Sequence, residues 1–388
     1  MGSNLFNIHD LSLLLVISEC LLLAFLLLTI NRGKRISNCL LAFFLLSIGI
    51  EAFDTLIYWN VPIKLAFFTD SLHLFFVLKF AAFLQGPLLY LYTRSVMYSD
   101  FRLHGKSWLH LIPVTIFPIY LAVTYHSLGR ENMEAGIYNY DILYRNGYFR
   151  LLVLMQESFI VIYGLAALLL FREYHQGLKN NFSNIETIDR NWLRLLIGGF
   201  LFISTWKLLP PVFHLVDMGQ AAHLFGLTGN YLDYFLVTAL VFYSVAHSEV
   251  IHRVVSPQKT NRNEKGENFN DDQAEQIVNA MTQHKHYLEP ELTLEQLAEQ
   301  LRLPPRLVSN IINRKFSKNF FEFVNYYRVE EAKQIISTRP QAVSMTDVMA
   351  DSGFNSKSAF NRFFKKYTGM TPTEFRKTAI TSKAFKGN

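Results

Sequence analysis

Close to the C-terminus, Lys357, Ser358, Asn361, Arg362 and Lys365 fill the gaps in a run whose other positions, Ala359, Phe360, Phe363, Phe364 and Tyr367, recur at three- and four-residue spacing. On a helix this pattern gives one apolar face and one face of cations, amide and hydroxyl groups. Arg and Asn are the side chains that pair bidentately with guanine and adenine edges, and Lys and Arg neutralise phosphates. From Ser352 to Asn388 there are eight Lys or Arg residues against one acid, Glu374. That balance suits contact with a nucleic acid, and a solvated basic surface would carry the same excess.

Such a face has to be held by a turn and a supporting helix. Gly353 stands where the preceding helix ends, a place that favours φ > 0, Phe354 plugs the turn, and the next helix opens at Ser356. The layout recurs 51 positions upstream, with Arg302, Leu303, Pro304 and Pro305 in place of Gly353, Phe354, Asn355 and Ser356. There a helix begins at Thr293 with a Thr-x-x-Gln capping box to Gln296 and presents Leu294, Leu297, Ala298 and Leu301 to a core. A second helix, Pro305 to Arg314, turns Leu307, Val308, Ile311 and Ile312 inward and Arg306, Ser309, Asn310, Asn313 and Arg314 outward. The two copies are joined by a helix over about Phe320 to Ser337, whose apolar positions are Phe321, Val324, Tyr327, Ala332, Ile335 and Ile336. At ~1.5 Å per residue it is roughly 27 Å long. Successive major-groove segments on one face of DNA lie ~34 Å apart, so one chain can dock both helices.

With these residues in view, Asp272 to Lys377 resembles the DNA-binding domain of AraC/XylS-type bacterial transcription regulators. The resemblance rests on Gly353-Phe354, Ser356, Ser358, Phe360, Arg362, Phe364-Lys365, Gly369, Thr371-Pro372 and Phe375-Arg376, with the upstream LTLEQLAEQL and the connecting YYRVEEAKQII. It implies an all-helical domain whose partner is the major groove of double-stranded DNA, with a contact to RNA polymerase and no cofactor. It further implies base contacts from Arg306, Ser309 and Asn310 in the first copy and from Lys357, Ser358, Asn361 and Arg362 in the second. Asn313, Arg314, Lys365 and Lys366 then fall to phosphates. The chain departs from the family pattern at Met349, where a small Ala is usual, and at Arg302 and Pro304-Pro305 in the first copy, which leave that recognition helix without a hydroxyl cap.

The rest of the chain is different in kind. Of 388 residues 51% are hydrophobic, and before about residue 251 they gather in long runs rather than amphipathic stripes. Seven candidate spans follow: Leu11 to Ile30, Cys39 to Tyr58, Leu72 to Tyr92, Leu109 to Tyr125, Leu151 to Phe171, Trp192 to Val216 and Tyr231 to Val250. Each approaches the ~20 residues that cross a hydrocarbon core. The first does not read as a cleaved signal peptide, since no cation precedes it and no small-residue cleavage site follows. Arg32, Lys34 and Arg35, then Arg94, Arg102 and Lys106, then Arg172, Lys179 and Arg190 follow spans one, three and five, whereas the segments before Leu11 and from Asp217 to Asn230 hold no Lys or Arg. The bias predicts an N-terminus outside and a C-terminus in the cytoplasm of a bacterial inner-membrane protein. A polar stretch, Val254 to Asp272, reads as a linker averaging roughly 25 Å and spanning up to about 60 Å when stretched.

Inside the spans the costly residues are Glu19, Glu51, Asp54, Lys79, Glu157, Lys207 and Asp233. They make either a site for an ion or small-molecule signal, for which Glu51, Asp54, Lys79, Glu157, Lys207 and Asp233 are the candidates, or interhelical pairs of Glu51 or Asp54 with Lys79 or Lys207. Pro210-Pro211 predicts a kink in span six. The 12 His show no metal-ligand spacing, Cys20 and Cys39 suggest neither disulfide nor zinc site, and no phosphate loop, nucleophile elbow or metalloprotease motif occurs.

The expected architecture is all-α: a seven-helix transmembrane bundle over residues 1–251, a linker over 252–271, a domain of two helix-turn-helix motifs over 272–378 and a tail over 379–388. The expected function is a membrane-embedded, sequence-specific DNA-binding regulator that couples a sensed signal to transcription, with two chains pairing as one means of coupling. The alternatives are a transporter or receptor whose basic tail binds protein or lipid, and a regulator that the spans only anchor.

Overall fold

A computed structural model describes residues 6–29, 35–68, 76–98, 101–139, 141–185, 191–246, 270–339 and 343–386. Most of the expected linker, the end of the seventh expected span with His247 and His252, the first residues of the third, and Arg32, Lys34 and Arg190 lie outside them. The chain forms two compact units: Met1–Arg172 with Arg190–Ser256, and Glu173–Asp189 with Pro257–Asn388. Among the described residues every regular element is helical, apart from one isolated antiparallel bridge, Phe182 to Thr293.

The first unit contains α1 (Ile8–Thr29), α2 (Arg35–Trp59), α3 (Val61–Phe68), α4 (Phe80–Met97), α5 (Ile112–Tyr138), α6 (Asp141–Arg145), α7 (Gly147–Asn181, of which the residues from Glu173 belong to the second unit), α8 (Asn191–Lys207), α9 (Leu209–Leu215) and α10 (Gly219–Ala246). Among the described residues six stretches are long and apolar enough to cross a membrane: Ile8–Thr29, Arg35–Trp59, Gly105–Gly136, Gly147–Asn181, Trp192–Leu215 and Gly219–Tyr243. The third expected span falls on α4, which is not among them. Fourteen of its 18 residues are buried, Gln85, Gly86, Pro87, Thr93 and Ser95 included. A helix enclosed by other helices has no lipid-facing surface to make apolar, so its composition carries less of a membrane signal. Close approach is built in at Gly86, where an added Cβ would sit 2.7 Å from Tyr163 Cβ. At Leu208, just before Pro210-Pro211, α8 gives way to α9, as the prolines predict. On α1, Leu21, Leu22, Phe25 and Leu28 are 51–63% exposed, an outward apolar face of the kind that water disfavours.

The second unit is built on α11 (Asp271–Thr282), α12 (Leu294–Leu301), α13 (Pro305–Lys315), α14 (Phe320–Thr338), α15 (Met345–Asp351), α16 (Lys357–Thr368) and α17 (Pro372–Lys386). Ala274, Ile277 and Met281 of α11 join Leu294, Leu297 and Leu301 of α12, Leu307, Val308, Ile311 and Ile312 of α13 and Phe320, Phe323 and Val324 of α14 in one core. The starts are capped as their sequences require. Asn270 and Thr293 make capping boxes with Gln273 and Gln296, and Ser344 makes one with Asp347.

Candidate nucleic-acid interface

The second recognition helix, α16, is held at both ends. The Ser356 hydroxyl accepts from the Ala359 amide at 3.3 Å, and Gly369, left-handed at φ 76°, closes the helix by donating to the Lys365 carbonyl at 2.9 Å. Ala359, Phe360, Phe363 and Phe364 are buried, which turns Lys357, Ser358, Asn361, Arg362, Lys365 and Lys366 outward, all exposed. The Arg362 guanidinium lies 5.3 Å from the Phe363 ring and 5.8 Å from the Phe321 ring, a platform that orients it without neutralising it. Lys366 is engaged: its ammonium is 2.7 Å from Glu322 of α14. Partial burial opposes ionisation of Glu322, but the hydrogen bond and charge of Lys366 win and hold that carboxyl below its ordinary range.

In the first copy α13 starts at Pro305 with no side-chain cap, as the sequence implies. Arg306, Asn313 and Arg314 are exposed and Asn310 is half-buried. Ser309 departs from expectation. It is only 9% exposed, and its hydroxyl lies 3.4 Å from the Asn313 amide nitrogen. It sits at the border of the apolar arc formed by Val308 and Ile312, so it offers little surface to a base edge.

Two features beneath this surface escape a local reading. Gly353 has φ 82°, and a Cβ there would fall 2.6 Å from the Tyr287 carbonyl oxygen and 2.9 Å from Leu288 Cα. The turn of the second copy therefore packs directly on backbone that precedes the first. At the equivalent turn Arg302 is left-handed at φ 55° despite its side chain, and its amide donates back to Glu299 at 3.0 Å. Met349 is half-buried, and its carbonyl accepts from Phe354, so the larger residue is accommodated in the turn.

Arg328 is 1% exposed in the middle of α14, and burial brings its guanidinium down to about 10, still charged at neutral pH. It donates to the carbonyls of Tyr287 at 2.8 Å, Glu289 at 2.6 Å and Pro290 at 3.2 Å. Four residues after Val324 and four before Ala332, it occupies the apolar stripe of α14, and a charge in that stripe was the available signal.

A helix-turn-helix domain model matches residues 297–378. The C-terminal region is an AraC-type helix-turn-helix domain. The domain is similar to parts of curated proteins that are themselves uncharacterised. One is the HTH-type transcriptional regulator YtdP of Bacillus subtilis, 33% identical over 91 residues, which cover 24% of this chain and 12% of that protein. Another is SACOL0084 of Staphylococcus aureus, also called an HTH-type transcriptional regulator, 30% identical over 115 residues, or 29% of this chain and 15% of the other. A third, YobQ of Bacillus subtilis, is 33% identical over 100 residues, 26% of this chain and 40% of that regulator. These matches thus span between 12% and 40% of the relatives' length. No solved structure matches the chain.

In the first unit the six ionisable candidates do come together. Lys207 of α8 lies 2.7 Å from Asp233 of α10 and 3.1 Å from Glu51 of α2, and Gln85 of α4 donates to the other Glu51 oxygen. One turn along α2, Asp54 pairs with Lys79 at 3.2 Å. Glu157 of α7 lines a small cavity with Glu51, Gln85, Ser204, Lys207 and Asp233, and one of its carboxyl oxygens has no hydrogen-bond partner. Of the pairings the sequence left open, Glu51 with Lys207 and Asp54 with Lys79 are the ones present, on residues drawn from most of the long helices.

Proposed function

We propose that this protein is a membrane-embedded transcription regulator whose AraC-type domain binds specific double-stranded DNA through the major groove, under control of a signal acting on its helical membrane unit. The observation that carries this is the pair of recognition helices, α13 and α16, packed against the same 19-residue α14, each backed by core and each turning cations and amides outward. Arg306 and Asn310 in the first, and Lys357, Ser358, Asn361 and Arg362 in the second, are the proposed base readers; Asn313, Arg314 and Lys365 contact phosphates, and Lys366 does so when released from Glu322. The names of the similar regulators support the same assignment.

Seven spans in an inner membrane, α4 being the enclosed one, with the N-terminus outside and the helix-turn-helix domain in the cytoplasm, fit the apolar outer face of α1 and the distribution of cations between the spans. The cluster of Glu51, Asp54, Lys79, Glu157, Lys207 and Asp233 is the proposed place where a signal shifts the balance between two helix arrangements. Pairing of two chains and a contact with RNA polymerase complete the proposal.

The test is selection of binding sites from random duplexes by the full-length protein in lipid nanodiscs at fixed salt. A two-part motif with half-sites about one helical turn apart is expected. Binding that is weak, salt-dominated and indifferent to sequence would refute the regulator assignment and favour a basic tail.

A further inference from the structure

The second unit includes one segment that comes from far upstream. Glu173–Asp189, the last turns of α7 with the connection that follows them, groups with the DNA-binding domain rather than with the rest of α7 and α8. Within it Phe182 forms an antiparallel bridge with Thr293, the cap of α12, and the Ser183 amide donates to the Leu292 carbonyl at 3.1 Å. The Ser183 carbonyl accepts from the Asn325 side chain at 2.9 Å and from Arg328 at 3.4 Å, and its hydroxyl accepts from Arg328 at 3.2 Å. The Asn184 side-chain amide donates to the Asn355 side chain at 2.9 Å, 171 positions away, in the turn before α16. Ser183, Asn184 and Ile185 are 1%, 8% and 4% exposed.

A connection between apolar helices has no need to bury its backbone, and buried backbone groups must find partners. Here the partners are supplied by the DNA-binding domain: from the first copy through Leu292 and Thr293, from α14 through Asn325 and Arg328, and from the second copy through Asn355. Asn325 is itself 1% exposed, a buried amide whose second acceptor, beside the Phe321 carbonyl at 2.7 Å, is Ser183. Buried polar side chains aimed at a backbone carbonyl are expensive without it. Ser183 is more buried than Asn184 or Ile185, so a large side chain there has to displace its neighbours.

We propose that the cleft between the two helix-turn-helix copies, floored by Asn325 and Arg328, is a binding site for an extended peptide segment, that Phe182–Ile185 of the same chain is its occupant, and that the seated segment braces the two copies in one relative arrangement. This rests on the regulator assignment above. The brace leaves the DNA face open, because Lys357, Ser358, Asn361 and Arg362 are exposed with the segment in place. Since the segment continues into α7 and α8, a rearrangement of those helices pulls on the brace, giving the membrane unit a tie to the DNA-binding domain separate from the linker after α10. Loss of the brace leaves each recognition helix intact and uncouples their spacing.

The test uses the full chain in nanodiscs, with Cys20→Ala and Cys39→Ala to remove the native thiols and a protease site placed among residues 254–269. Asn184→Cys combined with Asn355→Cys is oxidised mildly and cut. The two fragments are expected to stay joined until reduced, whereas a control pair of Asn184→Cys with Lys365→Cys, at the far end of α16, separates. Fragments that separate in both pairs, in a preparation that still selects a two-part DNA site, overturn the docking and leave the regulator assignment standing. Failure to select any site while the crosslink forms does the reverse. A second arm, Ser183→Trp, mutates the occupant and leaves the helix-turn-helix residues untouched. Its affinity for a selected two-part site is expected to fall at least tenfold with single half-site binding unchanged, and affinity that is equal or tighter overturns the brace.

Discussion

Gly353→Ala is the substitution whose cost is most directly readable. An alanine at φ 82° meets the left-handed penalty of roughly 1–2 kcal/mol. Its Cβ would also sit 2.6 Å from the Tyr287 oxygen and 2.9 Å from Leu288 Cα, both backbone atoms that cannot rotate away. Forcing such an overlap costs about 1–3 kcal/mol in backbone displacement. The stiffer unfolded chain returns ~0.4–1 kcal/mol, leaving a net loss of about 2–4 kcal/mol. The mirror experiment is Arg302→Gly, which removes the strain of a side chain at φ 55° against the extra freedom of glycine when unfolded, for a net gain of roughly 0.5–1 kcal/mol. Hydrogen exchange of the full chain reads both locally. Amides of α14 and α16 are expected to exchange roughly 30- to 1000-fold faster in Gly353→Ala and several-fold slower in Arg302→Gly, with α1 as an unaffected internal standard. Exchange within threefold of wild type in Gly353→Ala would refute the close packing of the second turn on the Tyr287–Leu288 backbone.

Arg306→Ala and Arg362→Ala should each relax specificity at one half-site and weaken binding by about 1–3 kcal/mol, read by site selection and titration at constant salt. Glu322→Gln should free Lys366 for phosphate, tightening DNA binding and steepening its salt dependence by about one counterion. Because the folded state holds the Glu322 carboxyl low, its contribution to stability is present above the unfolded carboxylate pKa of about 4.3 and is lost as pH falls through the lower folded value. Acid titration of domain stability should therefore be flatter in Glu322→Gln than in the parent. Lys207→Ala strands Glu51 and Asp233, 3.1 Å and 2.7 Å from the missing ammonium, and should destabilise the first unit by roughly 3–5 kcal/mol in thermal unfolding in detergent, with Lys207→Arg close to wild type. An equally stable Lys207→Ala would show that the cluster is not held by this pair.

Local order along the chain was enough to find both helix-turn-helix copies. The capping box at Thr293, the hydroxyl cap at Ser356, the three- and four-residue spacing on α12, α13 and α16, and the extent of α14 depend on neighbours within one or two turns. The same applies to the long apolar helices, including α4, which reads as the third span although, as an enclosed helix, it carries buried polar residues. What only the tertiary structure decided are the convergences between distant parts. Lys207 meets a carboxylate 156 positions away, Arg328 finds the carbonyls of Tyr287, Glu289 and Pro290, Ser309 is closed off at the edge of its core, and Asn184 reaches Asn355 across 171 positions. Periodicity tells which face of a helix is inward but not what it meets there. A buried charge or amide chooses its partner from whatever the fold brings within hydrogen-bond distance, and that choice exists only once the helices have packed.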